Sequence, residues 1–158
     1  MGDVFSGSEI VEIGIQIEKN GRDFYATLVS LSSDIRVQEV FKFLAGEEEK
    51  HIKSFQEILE KTDNPKEGVL VSDDYFAYMN ALASEHVFTK ENTGRVIASA
   101  LKTDKEALAK AMVFEKESII FYEGIKKVVP DAGKRVIDYL IEQEKGHLKA
   151  LTEIRELL

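Results

Sequence analysis

Two tetrapeptides of the form Glu-x-x-His, Glu48 to His51 and Glu144 to His147, lie 96 residues apart in this 158-residue chain. Two single glutamates, Glu18 and Glu115, lie 97 apart, and each is followed seven residues later by a tyrosine, Tyr25 or Tyr122. Residues three apart on a helix are neighbours, about 4.5 Å along the axis, so each tetrapeptide would present a carboxylate beside an imidazole. Those two groups together suit divalent first-row metal ions. The chain has no cysteine, which excludes disulfides, thiolate zinc sites, iron–sulfur clusters and cysteine nucleophiles. Any metal must be held by histidine and carboxylate.

These donors stand where a helix should be apolar. Glu48 and His51 fall on a stripe with Phe41, Leu44, Ile52 and Phe55, and Glu144 and His147 on one with Ile137, Leu140 and Leu151. Glu115 falls between Met112 and Ile119, and Glu18 lies at the flank of a stripe containing Gly14, Gly21, Tyr25 and Leu28. Burying an ionised carboxylate costs several kcal/mol, and four close together repel one another. Two divalent cations would resolve this, since four carboxylates carry −4 and two M²⁺ carry +4. The competing explanation is a metal-free polar network or a solvent-facing side. It must account for four Glu and two His in register across a duplication.

Four long segments with helical periodicity must position these groups: about Glu9–Ser30, Ile35–Thr62, Thr103–Val129, and Asp131 to the C-terminus. Ser6-x-x-Glu9 and Thr103-x-x-Glu106 read as capping boxes, and Asn64-Pro65 and Pro130 as breakers. Short connections make the first and second segments one antiparallel hairpin and the third and fourth another. The stretch from about Asp63 to Lys102 is long enough to recross a bundle and would hold short helices near Asp74–His86 and Thr93–Leu101. The expectation is an all-α, antiparallel four-helix bundle of two duplicated hairpins joined by a long crossover, forming one domain over residues 1–158.

The remaining signals are exclusions and surface features. A net charge of −8 without dense Lys/Arg runs argues against nucleic acid and anionic membrane as partners. No apolar stretch reaches the length of a membrane span, and the acidic N-terminus is unlike a signal peptide, so the reading is cytoplasmic. Nucleotide-binding glycine motifs and the G-x-S-x-G motif are missing. Within Glu47-Glu48-Glu49 only Glu48 lies on the stripe, and only Glu115 among Asp104, Glu106, Glu115 and Glu117 faces inward by phase. Glu85-His86, an adjacent pair on a short helix, is expected to point outward. Phe24 and Phe121 read as packing residues.

The whole pattern resembles the ferritin-like superfamily, and most of all its rubrerythrin branch. The carriers are Glu18, Glu48-x-x-His51, Glu115 and Glu144-x-x-His147, together with the repeated Glu-x-x-x-x-x-Phe-Tyr. They match the known ligand pattern of ferritin-like di-iron and di-manganese bundles. The resemblance implies that Glu48 and Glu144 bridge two metals, that His51 and His147 each bind one ion, and that Glu18 and Glu115 are terminal ligands. Tyr25 and Tyr122 would be phenols hydrogen-bonded to carboxylates and the candidate catalytic residues. The cofactor would be two iron ions, with manganese or zinc as substitutes. Rubrerythrins proper carry an extra carboxylate one turn from the third-helix Glu, where this chain has Met112 and Ser118, and a Cys₄ iron domain that it cannot form. The six-ligand set is closer to that of bacterioferritin, but Glu49 stands where that family has its haem-binding methionine. The expected activity is reduction of hydrogen peroxide or O₂ by a homodimer served by an electron donor. The alternatives are a ferroxidase or iron-storage protein, which needs a cage, and a scaffold that uses metal for stability alone.

Overall fold

The computed structural model describes residues 5–62, 70–86 and 88–158. The expected Asn64-Pro65 breaker lies outside the described residues, as does the side chain of Ser6. In chain order the elements are β1 (Phe5–Ser6), α1 (Gly7–Leu31), α2 (Ile35–Thr62), β2 (Leu70–Val71), α3 (Asp73–Glu85), α4 (Thr93–Ala100), α5 (Asp104–Ile125), a 3-10 turn (Lys126–Val128) and α6 (Asp131–Glu156). The two short strands pair antiparallel, Phe5 opposite Val71 and Ser6 opposite Leu70.

The architecture is an all-α bundle of two hairpins. Helix α1 packs along α2 and α5 along α6, while contacts of α2 with α6 and of α1 with α5 close the bundle. Buried Leu28, Phe41, Leu44, Phe55, Leu108, Ile137, Leu140 and Leu151 fill its interior. The turn of the first hairpin is fastened to the second by Asp104. Ser32 Oγ donates to Asp104 Oδ1 at 2.8 Å and the Asp34 N–H to Oδ2 at 3.1 Å. Thr103 caps α5, its Oγ1 accepting from the Glu106 N–H at 3.1 Å.

Helix α5 stops at Ile125 instead of running to Val129. The Tyr75 hydroxyl donates to the Gly124 carbonyl, and beyond Ile125 the chain tightens into the 3-10 turn. Val129 is then extended (φ −109°, ψ 152°), as a residue before proline must be.

The crossover lies over α1 and α5, with α4 on α1 and α3 on α5. Its anchor is Asn20, a buried residue of α1. The Asn20 amide donates to the carbonyls of Phe88 at 2.7 Å and Lys90 at 2.6 Å, and its Oδ1 accepts from the Gly94 N–H at 3.1 Å. Gly94 is required at this contact, because a β-carbon there would lie 2.0 Å from the Asn20 carbonyl oxygen.

Candidate metal centre

Each of the four long helices turns one buried acid toward the middle of the bundle: Glu18 from α1, Glu48 from α2, Glu115 from α5 and Glu144 from α6, all 0% exposed. Glu18 is therefore central and not at the flank that its phase suggested. His51 and His147 join them at 3% and 4% exposure. The helical period brings each imidazole beside the carboxylate three residues before it.

The donor atoms sort into two overlapping sets. Ligand atoms of Glu18, Glu48, His51 and Glu144 lie within 4.8 Å of one another, and so do those of Glu48, Glu115, Glu144 and His147. Glu48 and Glu144 are common to both. Glu144 faces both rings, with Oε1 at 2.8 Å from His51 Nδ1 and Oε2 at 3.5 Å from His147 Nδ1. His51 Nδ1 is also 3.4 Å from Glu18 Oε2, and His147 Nδ1 is 3.6 Å from Glu115 Oε1 and 3.7 Å from Glu48 Oε1. Each hairpin thus contributes one histidine and one private glutamate, and the two shared glutamates join the halves.

These close pairs are not aligned as hydrogen bonds. Ten buried side-chain atoms among the described residues have no hydrogen-bond partner, and all belong to these six residues: Glu18 Oε2, Glu115 Oε2, both oxygens of Glu48 and Glu144, and both nitrogens of His51 and His147. Buried polar atoms are ordinarily paired, so a concentration of unpaired donors at one place needs an occupant. Ligands about 2.1 Å from a common ion stand about 3.0–3.4 Å apart. The nitrogen–oxygen separations of 2.8 to 3.7 Å fall about that range. The donor set fits two divalent cations.

The tyrosines complete the symmetry by crossing between hairpins. Tyr25 of α1 donates to Glu115 Oε1 of α5 at 2.6 Å, and Tyr122 of α5 donates to Glu18 Oε1 of α1. Each phenol occupies one oxygen of a private glutamate and leaves its Oε2 without a partner. Phe41 stacks on Tyr25 and the edge of Phe55 meets Tyr122, so the rings are fixed by α2. Burial first, then the neighbouring carboxylates, raise both phenol pKa values well above the ordinary range. They remain protonated donors.

Electrostatics describe a cluster shared among protons. Burial pushes Glu48 and Glu115 well above the usual carboxylate range, and the Glu144 charge adds to it. Glu144 goes the other way despite burial, because Glu115, His147 and His51 lie close beside it and favour its charged form. Burial alone would lower the histidines, but the carboxylates outweigh it, holding His51 at about 11 and His147 at about 10.

Two residues depart from the expectation of exposed side chains. Glu47 is half-buried, and its carboxylate lies within 4.8 Å of ring nitrogens of both His51 and His147. Its position four residues before His51 was the available signal. His86 is buried at 4%, while its neighbour Glu85 is exposed. Helix α3 ends at His86, whose backbone is extended (φ −74°, ψ 127°), so helical phase no longer sets where that side chain goes. Phe24 and Phe121 are fully packed, as their type suggested.

A model of the rubrerythrin family matches residues 9–155 of this chain. Among solved structures, one described as a ferritin-like diiron-carboxylate protein from Thermotoga maritima matches with a TM-score of 0.74 and 24% sequence identity, covering 99% of this chain and 98% of that one. This likeness is one of fold, and it extends over the bundle and the crossover together. No curated protein matches the sequence. Among the described residues no helix is long and apolar enough to cross a membrane.

Proposed function

Because this chain belongs to the rubrerythrin family, we propose that it is a di-iron carboxylate oxidoreductase that reduces hydrogen peroxide or O₂ with electrons from an external donor. The observation that carries the reading is the pair of overlapping four-residue ligand sets with ten unpartnered buried atoms between them. Glu18 and His51 would hold one ion, Glu115 and His147 the other, and Glu48 and Glu144 both. Two iron ions bound there would supply one electron each and two adjacent positions for an oxygen-bearing oxidant.

The protein's own contribution is preorganisation. Tyr25 and Tyr122 fix the private glutamates by one oxygen each, which orients the other. Among the described residues Glu48 and Glu144 have no hydrogen-bond partner on any oxygen, so no hydrogen bond would hold them against a shift as the charge of bound metal changed. Surrounding apolar residues keep bulk water from the six donors. Manganese or zinc would fill the same donor set, and zinc loading would leave the protein without redox chemistry.

The test is elemental analysis of protein grown with iron, followed by peroxide consumption by the iron-loaded protein with a reductant present. Two iron ions per chain and turnover well above that of free iron are expected. Oxidation no faster than free ferrous ion would end this reading. Sizing separates the iron-storage alternative, because only a multi-subunit cage can enclose a mineral core.

A further inference from the structure

Between the glutamate and the tyrosine of the site-facing stripe, the duplicated helices differ in a residue that bears a hydroxyl on one side only. On α1 the stripe reads Glu18, Gly21, Tyr25, and on α5 it reads Glu115, Ser118, Tyr122, with Ser118 the counterpart of Gly21. Residues at i, i+3 and i+7 share one helix face, and here both outer members reach the carboxylate cluster. A β-carbon at Gly21 would lie 3.1 Å from Glu48 Oε2 and 2.6 Å from Phe114 Cζ, so the Phe114 ring fills that place. Ser118, three residues after Glu115 and four before Tyr122, lies on the face of α5 that carries both. Where α1 has a glycine backed by the Phe114 ring, α5 has a buried hydroxyl.

That hydroxyl is oriented from outside. Ser118 is 0% exposed, and its Oγ is 3.1 Å from His86 Nε2. His86 Nδ1 accepts the Phe88 N–H at 3.1 Å, so the ring proton sits on Nε2 and is given to Ser118 Oγ. The ring packs against Phe114 and Phe88, which holds its plane. Burial depresses the His86 pKa to about 4, against a small opposing pull from Glu144, and keeps the ring neutral near pH 7. The chain of donors runs one way, from the Phe88 amide through His86 to Ser118. The serine's own proton finds no acceptor among the described residues.

We infer that Ser118 is a catalytic hydrogen-bond donor to the oxygen-bearing substrate of the metal site, and that His86 is the positioning residue that aims it. The inference rests on the proposed function, and it assigns the substrate to the α5 side of the centre. In the overall reaction two ferrous ions, held by the six donors, would supply the two electrons and solvent the two protons with which hydrogen peroxide, its O–O bond broken, becomes two waters. Ser118 stabilises the departing oxygen by hydrogen bonding and keeps its own proton, while His86 changes neither charge nor tautomer.

The experiment uses the full chain. In metal-free protein, ¹⁵N NMR should show His86 as the neutral Nε2–H tautomer between pH 6 and 8; the Nδ1–H form would overturn the inference. With iron loaded, Ser118→Ala should retain wild-type metal content, with a melting temperature lower by several degrees because the buried His86 N–H loses its acceptor. It should weaken binding of azide, a linear anion probe for the substrate position, by about tenfold, the worth of one hydrogen bond. His86→Leu should reproduce that loss and His86→Gln, which keeps an N–H donor, should restore most of it. Unchanged azide affinity in Ser118→Ala, or a Gln variant no better than Leu, would overturn it. Wild-type protein that binds azide in this pattern but does not consume peroxide would sink the peroxidase reading alone.

Discussion

Loading two divalent ions should expel four protons from the protein, and the count follows from charge. In the metal-free site His51 and His147 are held at about 11 and about 10, so both are imidazolium at pH 7. A buried cluster is stable only near neutrality, so two of the four carboxyls must be ionised and two protonated. Glu144 is held ionised, while Glu48 and Glu115 are the carboxyls that burial pushes upward. In the loaded site four carboxylates balance two M²⁺ and the imidazoles are neutral. The two neutral states differ by two imidazolium and two carboxyl protons. The overall constant for binding both ions should then rise about 10⁴-fold per pH unit, equivalent to about 5 kcal/mol. Zinc is the suitable probe because it brings no redox step. Titration of weakly buffered protein at pH 7 with a pH indicator counts the protons, and calorimetry in buffers of different ionisation enthalpy gives an independent count. Two or fewer protons per ion pair would refute the reasoning, since the histidines or the carboxyls would then already be in their ligand form.

The same protons govern stability. Both histidines have folded-state pKa values above the unfolded value of about 6.5, so their stabilisation is full below that pH and is lost as pH rises toward 10 to 11. Glu48 and Glu115, also raised, act in the same direction from about pH 4.5 upward. The metal-free melting temperature should fall between pH 7 and 9 while that of zinc-loaded protein does not; parallel falls would contradict this. Gly21→Ala drives a methyl to 2.6 Å from the Phe114 ring and should cost about 1–3 kcal/mol, seen as a melting temperature lower by several degrees. An unchanged melting point would mean that the ring yields freely. Asn20→Ala removes three hydrogen bonds to the crossover and should cost about 3 kcal/mol, with hydrogen exchange rising first in α4. Uniform exchange across the bundle would show that Asn20 is no local anchor. Tyr25→Phe frees Glu115 Oε1 and should lower zinc affinity by about tenfold without changing the two-ion stoichiometry.

The helices were legible because their apolar residues recur at three and four, and the ends of α2 fall where the periodicity placed them. The six inward donors could be found because each interrupts an apolar stripe and the interruption recurs one duplication later. Where no periodicity operates, the sequence was mute. His86 sits at a helix terminus, where the backbone becomes extended and phase is lost. Asn20 is a single polar residue on α1, and nothing in its neighbourhood announces that a loop some seventy residues away supplies its partners. The early end of α5 is a tightening of its last turn into 3-10 geometry, which apolar periodicity does not register.

Duplication explains why the site lies where it does, and the crossover explains why its two faces are chemically different. Two equivalent hairpins packed face to face put any repeated inward residue beside its copy, so one glutamate and one Glu-x-x-His per hairpin suffice to surround two ions. Nothing in that scheme distinguishes the side lined by α1 and α5 from the side lined by α2 and α6. The crossover does, because its described helices lie over α1 and α5, covering that side with Phe88 and with His86 hydrogen-bonded to Ser118. On the opposite side β-carbons at Gly46 and Gly146 would meet nothing within 4 Å. The two histidine rings, from α2 and α6, stack 5.6 Å apart, with unpartnered Nε2 atoms and Glu47 nearby. The covered side carries a fixed neutral donor, whereas on the other side the Phe43 ring meets His147 edge to face. The two faces of one duplicated centre are therefore lined by unlike groups, because the element that joins the hairpins has no copy of its own.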